Sequence, residues 1–528
     1  MKRHLLYILG LISCLTWNSC REDFEFEPSA GNLIFERDTV YLDTIFNNTS
    51  SSTYNLKVYN SSNSDIVIPT IQLEGGASSF YRLNIDGTTG LNGPEEGKVF
   101  ENIELLARDS LYIFIETTVN IEDLSQSDTQ FLYTDRILFD SGSNAQHVDL
   151  VTLIKDAFFI YPDRDSNTGI TATLSFDTDG DGSVEDTEIQ GRFLRDDELT
   201  FTNEKPYVIY GYAAVGNNKT LTINPGARVH FHRDSGILVT SGGSLQINGA
   251  ISSDQEALEN EVILQGDRLE PLFENVPGQW GTIWLFSGSE NNTINYATIK
   301  NATIGILSEG NDQSTETDKL VITNSQVYNS SAFGILGRAT SIAANNLVIN
   351  NSGQASFAGT VGGRYNMTHC TIANYWTNSF RDFPALFFND FIQVDDTTIQ
   401  TNPLEASVNN CIVYGNDNPE FLLSQQGDSE NFQFIFRNSL LRFNNDTLEG
   451  LANYDFDNVE NYENNIFNTD PAFEDAFSNL MRISEESGAN GIGDSLFSNL
   501  VPFDILNVLR AIEPDAGAYE SSNLNSEE

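Results

Sequence analysis

The apolar positions of this chain follow two rhythms. From Leu33 to about Lys155 they alternate with polar residues, as in Tyr54-Asn-Leu56-Lys-Val58, Leu111-Tyr-Ile113-Phe-Ile115 and Val148-Asp-Leu150. A period of two puts every second side chain on one face, so these runs predict half-buried strands. Turn clusters such as Asn60-Ser-Ser-Asn-Ser and Asp140-Ser-Gly-Ser-Asn divide them, and about seven strands so punctuated predict an antiparallel, immunoglobulin-like β-sandwich. Beyond residue 216 the runs shorten. Thr220-Leu-Thr-Ile223, Arg228-Val-His-Phe231, Gly236-Ile-Leu-Val239 and Ser244-Leu-Gln-Ile247 are cut by Asn224-Pro-Gly226, Arg233-Asp-Ser235 and Ser241-Gly-Gly243. These are strands and tight corners, with no room for a helix.

From about Asn292 to Asn445 the short runs become a repeat: Asn, two residues, an apolar residue, one residue, Asn. The clearest copies are Asn324-Ser-Gln-Val327-Tyr-Asn329 and Asn346-Leu-Val-Ile349-Asn-Asn351. Looser ones begin at Tyr296, His369, Asn410 and Asn438. The apolar anchors Ile299, Val327, Ile349, Ile372, Val413 and Leu441 are spaced by 28, 22, 23, 41 and 28 residues, and Gly305-Ile306 and Gly334-Ile335 are 29 apart. One such unit cannot bury its own apolar face. Stacked in parallel about 4.8 Å apart, successive units enclose a continuous core. Asn suits the corners because it tolerates left-handed backbone angles and its amide can bond the same amide one coil below. In these features the chain resembles the right-handed parallel β-helix repeat proteins of the pectate-lyase-like class, over roughly half its length. The expected fold is all-β, an immunoglobulin-like sandwich followed by a single-stranded right-handed parallel β-helix.

The expected divisions are residues 1–20, a lipoprotein signal peptide; 21–30, a tether; 31–156, the sandwich; 157–215, a junction; 216–470, the β-helix; and 471–528, a capping segment and tail. The signal rests on Lys2 and Arg3, the apolar run from Leu5 to Leu15, and Ser19 before Cys20; the run is too short to span a bilayer. It resembles lipoprotein signals of Bacteroidetes-type bacteria, which implies lipidation at Cys20. Arg21-Glu22-Asp23 resembles the tag that sends such proteins to the outer face of the outer membrane.

Composition narrows the partners. There are 27 basic residues against 75 acidic ones, a formal net charge of −48. That balance repels nucleic acid and anionic membrane surfaces and favours cations. Membrane contact is therefore expected only through the N-terminal lipid. After signal cleavage the cysteines are Cys20, Cys370 and Cys411, which is no disulfide framework. Cys370 and Cys411 each stand two before an anchor and should point inward, as stacked thiols or a disulfide.

The sharpest local motif is Asp177-Thr-Asp179-Gly-Asp181-Gly-Ser183-Val-Glu185-Asp-Thr-Glu188. It matches a twelve-residue calcium loop, with ligands from Asp177, Asp179, Asp181, the Ser183 carbonyl, Glu185 and a bidentate Glu188. Strand-like flanks predict a calcium-stapled hairpin in place of an EF-hand. His230 and His232 share a strand face and could begin a zinc site, although polar decoration of a coil is the commoner use. Residues 376–391 hold six aromatics in sixteen residues, which accounts for the long interval. They form either a sugar-stacking platform of Trp376, Phe380, Arg381 and Phe383 or a loop folded back over apolar surface.

Lyases resembling this architecture use a basic residue for proton abstraction, often beside calcium, and related hydrolases use paired carboxylates. Only Arg364, Tyr365 and His369 approach a cluster, and no residue is assigned a catalytic role. The sequence favours a surface lipoprotein that is a non-catalytic binding or structural module, with an extracellular glycan or envelope protein as partner. The alternative is a polysaccharide lyase or glycoside hydrolase.

Overall fold

The computed structural model describes residues 25–120, 130–310, 317–445 and 447–524; the expected signal peptide and Cys20 lie outside them. The chain divides into two compact units, Met1–Asp156 and Ala157–Glu528.

The first unit is a β-sandwich. One sheet runs in the order Glu27–Pro28, Ile66–Leu73, Gln130–Phe139, Gln146–Lys155, Thr39–Phe46, with Val99–Leu105 also paired to Ile66–Leu73. The other runs Ile34–Phe35, Tyr54–Tyr59, Ser110–Thr117, Tyr81–Ile85. The period-two pattern decides which side chains face inward. Leu56, Val58, Leu111, Ile113, Ile115, Ile137, Phe139, Val148 and Leu150 are buried together between the sheets.

The second unit is a parallel β-helix. Each coil gives one short strand to each of three parallel sheets, exemplified by Gly236–Val239 in sheet I, Ser244–Asn248 in sheet II and Val262–Gly266 in sheet III. Each strand pairs in parallel with its counterpart on the next coil. The six anchors stand directly on one another in sheet III: Ile299 on Val327, then Ile349, Ile372, Val413 and Leu441. All six are fully buried, each worth about 1.5–3 kcal/mol of transfer free energy.

The first residue of every repeat copy has left-handed backbone angles. Tyr296, Asn324, Asn346, His369, Asn410 and Asn438 have φ between 45° and 52°, the region Asn enters at least cost. Their amides also bond between coils: Asn324 donates to Asn295 at 3.0 Å and Asn346 to Asn324 at 2.8 Å. At the far end of the repeat, Asn351 donates to Asn329 at 2.7 Å and Asn329 to Asn301 at 3.3 Å.

Two boundaries differ from the sequence reading. The parallel ladder begins at Phe158–Ile160, which pairs with Tyr207–Ile209 and through it with Arg228–Phe231. Residues 157–215 are thus opening coils of the helix. They lack the Asn corners and are interrupted by a hairpin, Thr173–Phe176 with Glu185–Phe193, so their period is hidden.

The closing segment does not plug the end of the helix. Aromatics of the last coils do that, with Tyr454, Phe456 and Tyr462 packed around Phe421 and Phe443. The closing segment runs back along the outer face of sheet III as a strap. It covers Tyr328, Val348, Ala373, Ile412, Tyr414 and Leu440 with Ala476, Met481, Ile483, Ile505 and Ala518. The physical reason is that these coils are apolar outside as well as inside, so this face requires a cover.

Candidate functional site

The acidic loop joins the two strands of the hairpin and no helix flanks it. Carboxylate oxygens of Asp177, Asp179 and Glu185 lie within 4.8 Å of one another. The loop's own N–H groups hold them: Gly180 and Gly182 donate to Asp177, Asp181 to Asp179, and Thr178 to Glu185. Three convergent carboxylates are the donor set of a hard cation such as Ca²⁺. The remaining motif positions are elsewhere. Asp181 accepts from the Ser183 N–H at 2.7 Å, which draws its pKa below the usual carboxylate range, and Glu188 stands three residues along the strand, in the wall of a groove.

The aromatic loop does not assemble a sugar platform. The Trp376 ring is buried, its Nε1 donating to Ser379 at 3.0 Å. Arg381 forms a bidentate pair with Glu420, at 2.7 and 2.9 Å, with the two side chains 4% and 0% exposed. Phe383 packs edge-on against Phe333 and Phe387. Of the four expected ligand contacts, Phe380 alone is strongly exposed, at 86%. The run of aromatics is only partly a loop: Phe387 and Phe388 stand on a coil strand, Leu386–Asn389, paired in parallel with its neighbours, and Phe391 begins a separate hairpin. Trp376 and Phe388 are buried because large rings gain more from burial than from exposure.

The basic cluster is likewise dispersed. Tyr365 points into the core, where its hydroxyl donates to the Gly362 carbonyl. Arg364 points outward and pairs with Asp318 at 3.0 Å. His369 lies at a coil corner beneath the strap, bonded to Ser498 and Asn410, and burial, aided by Arg510, holds its pKa well below the usual histidine value. Cys370 and Cys411 are buried free thiols stacked on consecutive coils, and burial raises the Cys411 pKa.

A different constellation forms on the opening coils. Tyr161, Tyr210 and His232 each follow the last residue of a sheet III strand, and the register of Ile160, Ile209 and Phe231 superposes them. The rings lie one over another, Tyr161 tilted by 31° over Tyr210 at 4.7 Å and Tyr210 stacked on His232 at 4.3 Å. His232 Nδ1 then meets Asp267 Oδ2 on the next coil at 2.8 Å. His230 instead bonds the Gly266 carbonyl, so among the described residues the two histidines join no third metal ligand.

Facing this ladder is the hairpin. Leu174 and Phe176 pack across Ala214 and Leu238 on the outside of sheet I, which sets Glu188, Ile189 and Gln190 opposite the rings. Between the two walls is an open groove of about 760 Å³. Tyr212 and Trp284 line it. The Tyr212 ring is admitted by two glycines: a Cβ on Gly236 would come within 2.7 Å of its ring, and one on Gly281 within 2.6 Å of its hydroxyl. Burial, reinforced by Asp234, pushes the Tyr212 pKa up to about 12, so the hydroxyl stays protonated and able to donate. Trp284 is oriented by its Nε1 bond to Glu309 at 2.7 Å. Arg164 and the Arg233–Asp234 pair complete the lining. The sequence signal was a ring placed immediately after three apolar strands, but their alignment is visible only once the register is known.

No family model and no curated protein matches the chain. Among solved structures it is similar to the catalytic unit of a thermostable GH87 α-1,3-glucanase from Streptomyces thermodiastaticus strain HF3-3. That likeness has 11% identity, covers 74% of this chain and 72% of that one, and has a TM-score of 0.25. A family 123 glycoside hydrolase from Clostridium perfringens, active on glycolipid glycans, matches at 9% identity over 23% of this chain and 26% of its own, with a TM-score of 0.16. The ASH/PapD-like domain 7 of human CEP192 matches at 12% identity over 25% of this chain and 89% of its own, with a TM-score of 0.15. Superpositions this loose carry no weight, and the fold rests on strand register.

Proposed function

We propose that the protein is a surface-anchored lipoprotein whose β-helix is a non-catalytic carbohydrate-recognition module. The observation that carries this reading is the groove of Tyr161, Tyr210, Tyr212, His232 and Trp284, fringed by Arg164, Glu188, Gln190 and Asp234. The ladder rings cover one another's faces and so offer the groove edges and hydroxyls, which with its hydrogen-bonding fringe suit the hydroxyl rim of a sugar. In this reading Cys20 carries the lipid, and Asp177, Asp179 and Glu185 hold a structural Ca²⁺ that stiffens the hairpin wall. One observation favours the alternative of a glycoside hydrolase: Glu188 and Asp234 are two carboxylates on one groove, the group type such enzymes use in pairs.

A glycan screen of the mature chain, with and without Ca²⁺, separates these readings by scoring retention and the release of new reducing or unsaturated ends. Retention without products, lost in Tyr210→Ala, supports recognition. Products abolished by Glu188→Gln would replace it with hydrolysis, and neither retention nor products with any glycan would end both.

A further inference from the structure

We propose that the groove takes an uncharged polysaccharide laid along the helix axis. This rests on the carbohydrate reading above and narrows it to a ligand class and a direction.

The direction follows from the walls. Tyr161, Tyr210 and His232 occupy equivalent positions on successive coils, so that wall climbs the axis one ring per coil. The hairpin climbs it too. Phe176 lies among Ala214 and Leu238, which are paired across neighbouring coils of sheet I, and meets Phe286 at 5.2 Å beyond the next strand of that sheet. A trench between two axial walls admits an extended chain lengthwise. Three coils at about 4.8 Å each give it roughly 10–15 Å of aromatic wall, the span of a short oligosaccharide.

The ligand class follows from charge. The lining carries two guanidinium groups, Arg164 and Arg233, and two carboxylates, Glu188 and Asp234, so the groove adds no positive field of its own. Arg233 is already beside Asp234 at 3.4 Å, and the Arg164 Nε donates to the Gly169 carbonyl at 2.8 Å. Around this balanced lining is a chain of formal net charge −48, whose field opposes the approach of a polyuronate or sulfated chain. A neutral sugar pays no such penalty. Its hydroxyls donate to Glu188 and Asp234 and accept from Gln190 and Arg164, which uses both kinds of group.

The test is calorimetric titration of the mature chain with size series of cello-, laminari- and manno-oligosaccharides and of oligogalacturonates, at low and at moderate salt. At least one neutral series should bind, with affinity rising with length and levelling off at roughly three units, as the coil spacing sets. Tyr210→Ala and the exposed-site variant Tyr161→Ala should each weaken it by about tenfold, and the oligogalacturonates should not bind at either salt concentration. Oligogalacturonate binding that weakens with salt and is lost in Tyr210→Ala would overturn the neutral class while leaving carbohydrate recognition in place. Neutral binding without length dependence would overturn the axial direction. Failure of every series would overturn the carbohydrate reading itself.

Discussion

Two of the aromatic-rich regions of this molecule have opposite uses. In residues 376–391 six rings are close in sequence and assemble no shared platform: Trp376 and Phe388 are buried, Phe380 is exposed, and Arg381 is locked to Glu420. In the groove the rings are far apart in sequence and are brought together by stacking of coils. A local run of rings is divided among the elements it crosses, a loop, a coil strand and a hairpin, which send the rings to different faces. A site on a coiled fold is assembled one residue per coil, at positions that look unremarkable singly.

The contrast can be broken most severely at Arg381. Arg381→Met leaves Glu420 as a buried charge without its partner and should cost about 3–5 kcal/mol by chemical denaturation, with glycan retention by the folded fraction unchanged. Trp376→Ala should cost about 3 kcal/mol, again without weakening retention; selective loss of binding would restore the loop as a site. Gly281→Ala places a methyl against the Tyr212 hydroxyl and the Ser235 carbonyl. A destabilisation of about 1–3 kcal/mol is expected, together with weakened retention.

A pH effect is expected at a corner outside both of these regions. His369 has a folded pKa below its ordinary value of 6.5, so the unfolded chain takes up its proton before the folded one does. The stability tied to neutral His369 is complete above about pH 6.5 and declines as pH falls below it. A His369→Asn variant, which places there the residue of four of the other five corners, should flatten that part of the pH–stability profile. The smallest effect belongs to Phe380→Ala, which should stay within about 0.5 kcal/mol in stability and leave retention intact.

The sequence made the central coils legible because two independent signals coincide there. Apolar anchors recur at coil length, and Asn recurs where the backbone turns left-handed, so the register from Ile299 to Leu441 could be written down in advance. The opening coils carry neither signal: Phe158–Ile160 and Tyr207–Ile209 are separated by a hairpin longer than a coil corner. The acidic motif was readable as a turn, but a twelve-residue template could not show that Glu188 would stand on a strand facing Tyr210. The closing segment was expected to cap the helix because an open strand edge needs a cover, and the outward apolar positions it covers instead, such as Val348 and Ile412, can be recognised as outward only after the inward set is fixed.

A stack of coils joined only to nearest neighbours frays from its ends, losing one unit at a time. The strap removes that freedom. Asn438 donates to the Ile492 carbonyl, Asn410 to that of Asp494, His369 meets Ser498, and Asn346 donates to the Phe503 carbonyl. The same corner residues that turn the chain on four successive coils thereby grip one continuous segment. Peeling the last coil must lift that segment from the coils before it, so their openings are coupled, and the C-terminal half of the helix should unfold as one cooperative block whose slow opening limits proteolysis.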